Sequence, residues 1–565
     1  MLRSRLLALT FPLCFLGVGV SASERVTPPD AKTAPQAGAH SDLTSTSVPA
    51  PVAAEPAPPP SALADFAREF ADRLGATQGR LSAADRADRA ALAQFYAARA
   101  NEPVWTTPVG LSPAAETVLA EIGRADDWGL DASAFRLPSL SQGIELTREQ
   151  RADADIALSL AVLKYARHAR GGRAEPLSLS KNLDRNLQLL DPQAVIEAAT
   201  RTDSPDAFLR SLHPQHPQFE RLRQLYLALK RGEPAPVEQV VRRDGKSPKH
   251  GSPKAPAGPS LRTLLVNMEQ WRWMPDGWGD FYVWVNIPEY TVRVVKSGQV
   301  IHSERVIVGR TNTPTPVFSD EMKQVIFHPF WGVPDSIKQN ELLPSLARGN
   351  TGVLERNGLR VQYRGRDIDP GSVDWSKVDM RKFHVYQPPG SGNVLGVVKF
   401  RFPNKHDVYM HDTPSKSLFN ASVRTFSHGC MRVRDPVRLA EIVLAEDRGW
   451  PSSRVTAAVR SGPKDNQINL VRKVPVHMTY FTAWVEDDGK LRIYGDIYGH
   501  ENRIALGMSG KSHLIQRERE QPAPKVRERQ HHAARVKERV TPPRQTVSTS
   551  GRTNNRGWVR GVFQN

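Results

Sequence analysis

Cysteine is nearly absent from this 565-residue chain, which has only Cys14 and Cys430. Cys14 lies in the opening stretch MLRSRLLALTFPLCFLGVGVSAS, where Arg3 and Arg5 precede an apolar run from Leu6 to Val20 and small residues follow. That is the layout of a secretory signal peptide, with cleavage expected near Ala22. The run is short for a bilayer span, and no later run reaches the roughly 20 apolar residues a transmembrane helix needs. Phe15 beside Cys14 is not the small residue that lipid attachment would require. The mature protein is therefore expected to keep one thiol, Cys430, which excludes an intramolecular disulfide in an oxidising compartment. Paired cysteines and an HExxH segment are missing too, and with them the common zinc frameworks.

Apolar residues are scarce from Gln516 to Asn565, where twelve Lys/Arg face four Asp/Glu and supply +8 of the chain's +18. Such a composition cannot pack a core, so 516–565 reads as a basic disordered tail. Export argues against a nucleic-acid partner. The expected use is weak contact with an anionic envelope surface, beside the plainer reading of a solvated tail with no partner.

What the chain does have is a sequence of compositionally distinct segments. The expected signal peptide, 1–23, leads into a Pro/Ala-rich linker, 24–60. Over 61–232 the period is helical. In SALADFAREFADRL, for example, Leu63, Phe66, Phe70 and Leu74 recur on one face behind Ser61. This region reads as an all-helical domain without a catalytic constellation. A basic, Pro-rich linker follows at 233–260. From 261 to 515 apolar and polar residues alternate, as in GDFYVWVNIPEYTVRVVKSGQVIHSERVIVG, where KSGQ supplies a hairpin turn. DPVRLAEIVLAED reads as a helix, with Asp435 as N-cap and Pro436 at its first position. The stretch 334–395, carrying LARGN, ERNG, GRDIDPG and QPPGSG, is too long and irregular for a plain connection and reads as a lid. The expected fold class is thus α+β, a mainly-β domain behind a helical one.

Cys430 sits in FSHGCMR. A thiol becomes a nucleophile when a base or a positive charge stabilises its thiolate. Gly429 permits a turn whose N–H groups converge as an oxyanion hole. Arg432 suits either holding the turn or meeting a substrate carboxylate. The candidate bases are His406, His411 and His428, and spacing alone does not choose among them. Two other readings stand beside catalysis: a buried structural cysteine, and zinc held by His411, His428 and Cys430. The polar company of Ser427, His428, Gly429 and Arg432 speaks against the first. The missing ligand pairs speak against the second.

HDTPSKSLFNASVRTFSHGCMR resembles the active-site signature of the L,D-transpeptidases with a YkuD-type catalytic domain, a histidine, a loop and then S-H-G-C-x-R. NMEQWRWMP, PFWGVPDSI, FYAARANEPVW and YARHARGGR extend the likeness to the larger scaffolded members, over about 61–510. The resemblance implies a mainly-β catalytic domain with an inserted capping lid and a periplasmic location. It also implies a metal-free, cofactor-free reaction on peptidoglycan. Cys430 would attack the carbonyl of the third residue, a diamino acid, in a tetrapeptide stem and expel D-alanine. The acyl group would pass to an amine of a second stem, giving a 3→3 cross-link. Cys430 would then be the nucleophile, one that carbapenems acylate, and His411 the base. The N–H groups of Gly429 and Cys430 would form the oxyanion hole, with Ser427, His428 and Arg432 shaping the site. The second nitrogen of His411 would be oriented by the Asp412 carbonyl rather than its side chain, since successive strand residues face opposite ways. Within the family the alternatives are an L,D-carboxypeptidase or a transpeptidase that tethers proteins to peptidoglycan. Outside it stand a non-catalytic envelope-binding protein and, last, a zinc hydrolase. Many scaffolded members also carry a small peptidoglycan-binding helical module, and none is recognisable here.

Overall fold

Strand alternation and helix capping account for most of the architecture. The computed structural model describes residues 60–76, 81–139, 145–234, 237–238 and 260–515, all in one compact unit. The expected signal peptide, nearly all of both linkers and the basic tail lie outside the described residues. Among the described residues no helix is long and apolar enough to cross a membrane.

Residues 60–230 are helical, built around a long helix, α1 (Arg148–Gly171), and ending in α2 (Pro217–Lys230). Thr147 and Gln150 form a capping box that starts α1. Its buried face carries Asp155, which accepts from Tyr96 Oη at 2.6 Å and from the backbone N–H groups of Trp105 and Thr106 at 2.8 and 2.9 Å. This carboxylate fixes the 104–106 turn against the helix, because each buried donor it satisfies would otherwise lose a partner.

After α3 (Leu261–Arg272) come the nine strands of the large sheet. They are β1 (Phe281–Asn286), β2 (Thr291–Lys296), β3 (Gln299–Gly309), β4 (Ser319–Phe327), β5 (Val398–Arg401), β6 (Met410–His411), β7 (Thr425–Ser427), β8 (Met431–Val433) and β9 (Asn466–Thr479). Their order is β7-β3-β8-β6-β5-β4-β9-β1-β2, and a further β2–β3 pairing closes the sheet into a barrel. The β2–β3 hairpin turns on Ser297 and Gly298, whose φ values of 50° and 76° suit a two-residue turn of the twist-matching kind. Helix α4 (Pro436–Arg448) begins as its sequence suggests, with Arg438 N–H donating to Asp435 Oδ1 at 3.1 Å.

The stretch read as an irregular lid is a folded subdomain. A four-stranded sheet (Arg366–Asp367, Arg360–Tyr363, His384–Gln387, Trp331–Gly332) packs with short helices around a core of its own, including Trp331, Leu342, Trp375 and Met380. Its two ends meet at a stem where His328 N–H donates to Val397 O at 2.9 Å.

Packing between the helical part and the barrel does not stop at residue 232. Leu179 and Leu183, both 0% exposed, belong to the barrel core, and Phe219 and Leu222 of α2 share a cluster with Trp271 and Tyr282. Two fully buried leucines contribute about 1.5–3 kcal/mol each, against at most about 1 kcal/mol for an exposed ion pair such as Arg221–Asp487. Apolar burial therefore dominates this joint.

Candidate active site

Alternation in β6 and β8 sorts the residues around Cys430 onto two faces. The parallel register sets Met410 beside Met431 and His411 beside Arg432, which brings Tyr409 level with Cys430. Met410 and Met431 are fully buried in the barrel core, together with Phe400 of β5. The alternate residues Tyr409, His411, Cys430 and Arg432 share the opposite face, joined by Lys399, the β5 partner of His411. Lys399 Nζ lies 4.0 Å from the centroid of the Tyr409 ring, and the Tyr409 and His411 ring centroids are 5.6 Å apart.

His411 is 5% exposed, and its Nδ1 sits 2.5 Å from the Asp412 carbonyl oxygen. A carbonyl can only accept, so Nδ1 carries the proton and Nε2 presents its lone pair. Burial, reinforced by the Arg432 charge, pushes the imidazole pKa down to about 3. The Asp412 carboxylate faces elsewhere. It accepts from Val397 N–H at 2.9 Å and Lys416 Nζ at 2.6 Å.

Cys430 is half-buried, and its Sγ lies 3.9 Å from the Asp407 carbonyl. Burial pushes the thiol up to about 11, against a backbone hydrogen bond with Tyr409 and the charges of Lys399 and Arg432. Burial first, and the neighbouring thiol second, hold the Tyr409 phenol well above its usual range. At neutral pH the site therefore rests as a neutral thiol and a neutral imidazole, not as a thiolate–imidazolium pair.

The turn before Cys430 is pinned on all sides. Gly429 has φ +118°, a region open to glycine, and its carbonyl accepts from Thr315 Oγ1 at 2.7 Å. Ser427 Oγ donates to the Cys430 carbonyl at 2.6 Å and accepts from Gly429 N–H at 3.2 Å. One of the two amides expected to form an oxyanion hole is thus already engaged. Arg432 is 8% exposed, and its buried Nη1 has no hydrogen-bond partner. Burial lowers its pKa to about 10, which leaves it cationic at neutral pH.

The other two candidate histidines are tied to carboxylates. His428 Nε2 lies 2.6 Å from Oε1 of Glu341, which belongs to a π-helical turn of the lid. His406 Nε2 lies 2.7 Å from Asp184 Oδ2, in the segment running from the helical part along the barrel. Among the described residues no group of three or more His, Cys, Asp or Glu is placed to hold a metal ion.

The sequence reading missed Tyr409, Lys399, Thr315 and Glu341. The first two carried a signal: in VYMHD and VVKFRF they alternate with Met410, Val398 and Phe400, and so lie on the non-core face. Glu341 gave none, because its contact with His428 depends on how the lid folds back.

Two family models match the chain, a scaffold domain over residues 90–225 and an L,D-transpeptidase catalytic domain over residues 280–463. A Haemophilus influenzae protein described as a candidate L,D-transpeptidase is 34% identical over 244 residues, which are 43% of this chain and 49% of that protein. The chain thus spans about half the length of this curated relative. Among solved structures, an L,D-transpeptidase from Mycobacterium smegmatis matches 35% of this chain and 58% of its own, at 12% identity and a TM-score of 0.17. L,D-transpeptidase 3 from Mycobacterium tuberculosis, in complex with a faropenem-derived adduct, matches 35% and 60%, at 14% identity and a TM-score of 0.18. Residues 280–463 thus match an L,D-transpeptidase catalytic domain of the YkuD type, set behind a scaffold domain over residues 90–225.

Proposed function

We propose that this chain is an exported, periplasmic cysteine transpeptidase of peptidoglycan that forms 3→3 cross-links. The carrying observation is that Cys430 shares a strand face with His411, whose Nδ1 is held by the Asp412 carbonyl so that Nε2 is left as a base. The mechanism is general-base catalysis from a neutral pair. As Sγ of Cys430 attacks the carbonyl carbon of the third stem residue, Nε2 of His411 takes the thiol proton. The tetrahedral intermediate collapses, the C–N bond to D-alanine breaks, and the imidazolium returns its proton to the leaving amine. The amine of a second stem then attacks the thioester, gives up a proton to His411 and releases the Cys430 thiol.

The Cys430 N–H is the main-chain donor for the oxyanion, and the Gly429 N–H joins it once Ser427 Oγ gives it up. Arg432, with a buried unpartnered Nη1, suits a stem carboxylate. The same acyl-enzyme would serve a carboxypeptidase or a protein-tethering enzyme. The deciding factor is whether water or an amine reaches the thioester, which the lid above His428 bears on.

The test is intact-protein mass spectrometry during incubation with a tetrapeptide stem and then with a diamino-acid acceptor. The expected result is a thioester adduct on Cys430, release of D-alanine and a 3→3 product. Folded protein with a free thiol and no adduct would overturn the reading. An adduct that only hydrolyses would assign the carboxypeptidase.

A further inference from the structure

Away from the Cys430 face, the outer side of β1 and β2 meets the helical part in an aromatic cleft. Val283, Val285, Val292 and Val294 fill the barrel, so Tyr282, Trp284 and Arg293 project outward. His216 at the start of α2, Trp271 of α3, Trp278 and Trp484 converge on the same side, and together with Tyr282 and Trp284 they line a cleft of about 950 Å³. The rings pack on one another into a single cluster in which Trp278 and Trp484 are the partly exposed indoles. Centroids are 4.3 Å apart for His216–Trp271 and 5.5 Å for Trp271–Trp278, both stacked, and 5.0 Å for Trp284–Trp484.

Protein cores pack without voids of this size, whereas ligand sites of about 300–1,000 Å³ form where domains meet. Trp278 and Trp484 are only half-buried, and Val300 at the margin is 53% exposed. Trp271 is 2% exposed, and its Nε1–H, a donor that normally finds a partner when buried, has none. The charges around the opening cancel. Arg170 pairs with Asp276 at 2.6 Å, Arg221 with Asp487 at 2.7 Å and Arg293 with Glu289 at 2.7 Å. A polyanion finds no free positive field there. A neutral ligand with apolar faces and hydroxyl or amide edges finds indole platforms and a rim of planar polar groups.

We infer that this cleft binds a strand of N-acetylated amino sugars, with pyranose C–H faces on the indoles and hydroxyl and acetamide groups at the rim. The choice of an amino-sugar polymer rests on the peptidoglycan reading above, since that is the glycan to which the stems are attached. The cleft would hold the strand while the Cys430 face works on a stem, and so stand in for a separate wall-binding module. In the closed sheet β3 separates the β1–β2 hairpin from β8, so the two sites occupy different faces of one barrel.

The experiment is a titration of the intact protein with N-acetylglucosamine hexamer, read by intrinsic tryptophan fluorescence and by calorimetry. Trp278→Ala and Trp484→Ala are measured alongside, with Trp278→Phe and Trp484→Phe in case an alanine variant does not fold. The inference expects saturable binding with a fluorescence change, weakened at least ten-fold by alanine and less by phenylalanine. Absence of saturable binding by the wild type, or binding that folded alanine or phenylalanine variants leave unchanged, would overturn it. Mass spectrometry of Cys430 with free stem peptide runs separately. Glycan binding without acylation would sink the transpeptidase reading and spare the cleft, and acylation without glycan binding would do the reverse.

Discussion

At the residue scale, the two groups proposed to react are held uncharged by their surroundings. Burial raises Cys430 to about 11 and lowers His411 to about 3, so the thiol should be sluggish toward reagents that need a thiolate. Alkylation by iodoacetamide, followed against pH, should show an apparent pKa well above that of an ordinary cysteine, and a value near or below 7 would mean a preformed ion pair. The base needs to be neutral, so acylation by stem peptide should persist through mildly acidic pH and fall only as His411 protonates, toward about 3. His411→Ala should slow acylation by about 100-fold or more, and His428→Ala far less; stopped-flow acylation of the two variants decides, and the reverse order would move the base to His428. The sequence already pointed to Cys430, because a lone thiol in a Ser-His-Gly setting has few structural uses. It did not single out Tyr409: alternation with Met410 puts this side chain on the non-core face, but its place beside Cys430 follows only from the register of the neighbouring strand.

At the element scale, the lid depends on a close approach at its stem. Gly396 has φ +59°, and a Cβ there would fall 2.2 Å from Asp412 Oδ2. That carboxylate accepts from Val397 N–H, and its own backbone carbonyl orients His411. Gly396→Ala should therefore cost about 1–3 kcal/mol through backbone strain and disturb the base as well; calorimetry should show a lower Tm and the acylation assay a slower step. An unchanged Tm would mean that the stem yields without strain. Glu341→Ala should free His428 from the lid and raise hydrolysis of the thioester relative to transfer, measured as the ratio of free acid to cross-linked product. The alternating strands and the Asp435–Pro436 helix start were legible because each follows from a local rule. The lid's order was not: its core gathers Trp331, Leu342, Trp375 and Met380 from segments separated by turns, and no single window displays a period. The strand-like stretch HDVYMHD holds a strand as its alternation suggests, but it is paired only over Met410–His411.

At the scale of the whole molecule, buried histidines tie stability to pH. His411 and His500 are pushed down to about 3 and His477 to about 4, burial being the main cause in each. These folded-state values lie below the unfolded value near 6.5, so the unfolded chain takes up protons first as pH falls. The stability they give is present above about 6.5 and drains away toward pH 3–4, by up to about 2 kcal/mol per histidine at pH 5. Urea midpoints at pH 7.5 and pH 5 should show the loss, and equal midpoints would mean that these imidazoles are free to protonate in the folded state.

The division into a helical half and a β half could be read from the change of hydrophobic period. What could not be read is that Leu179 and Leu183 belong to the barrel, because a short apolar segment does not announce its partner. That feature bears on how such a chain can be inherited. The Pro-rich stretch at 233–260 looks like a natural seam for genetic exchange, yet a crossover there would give the barrel a foreign helical half and leave the places of both leucines unfilled. Recombination should therefore succeed only when both halves travel together, and the two coding regions should share one ancestry. The fragment 261–515 expressed alone should be insoluble or molten, and a folded, acylation-competent fragment would show the halves free to part.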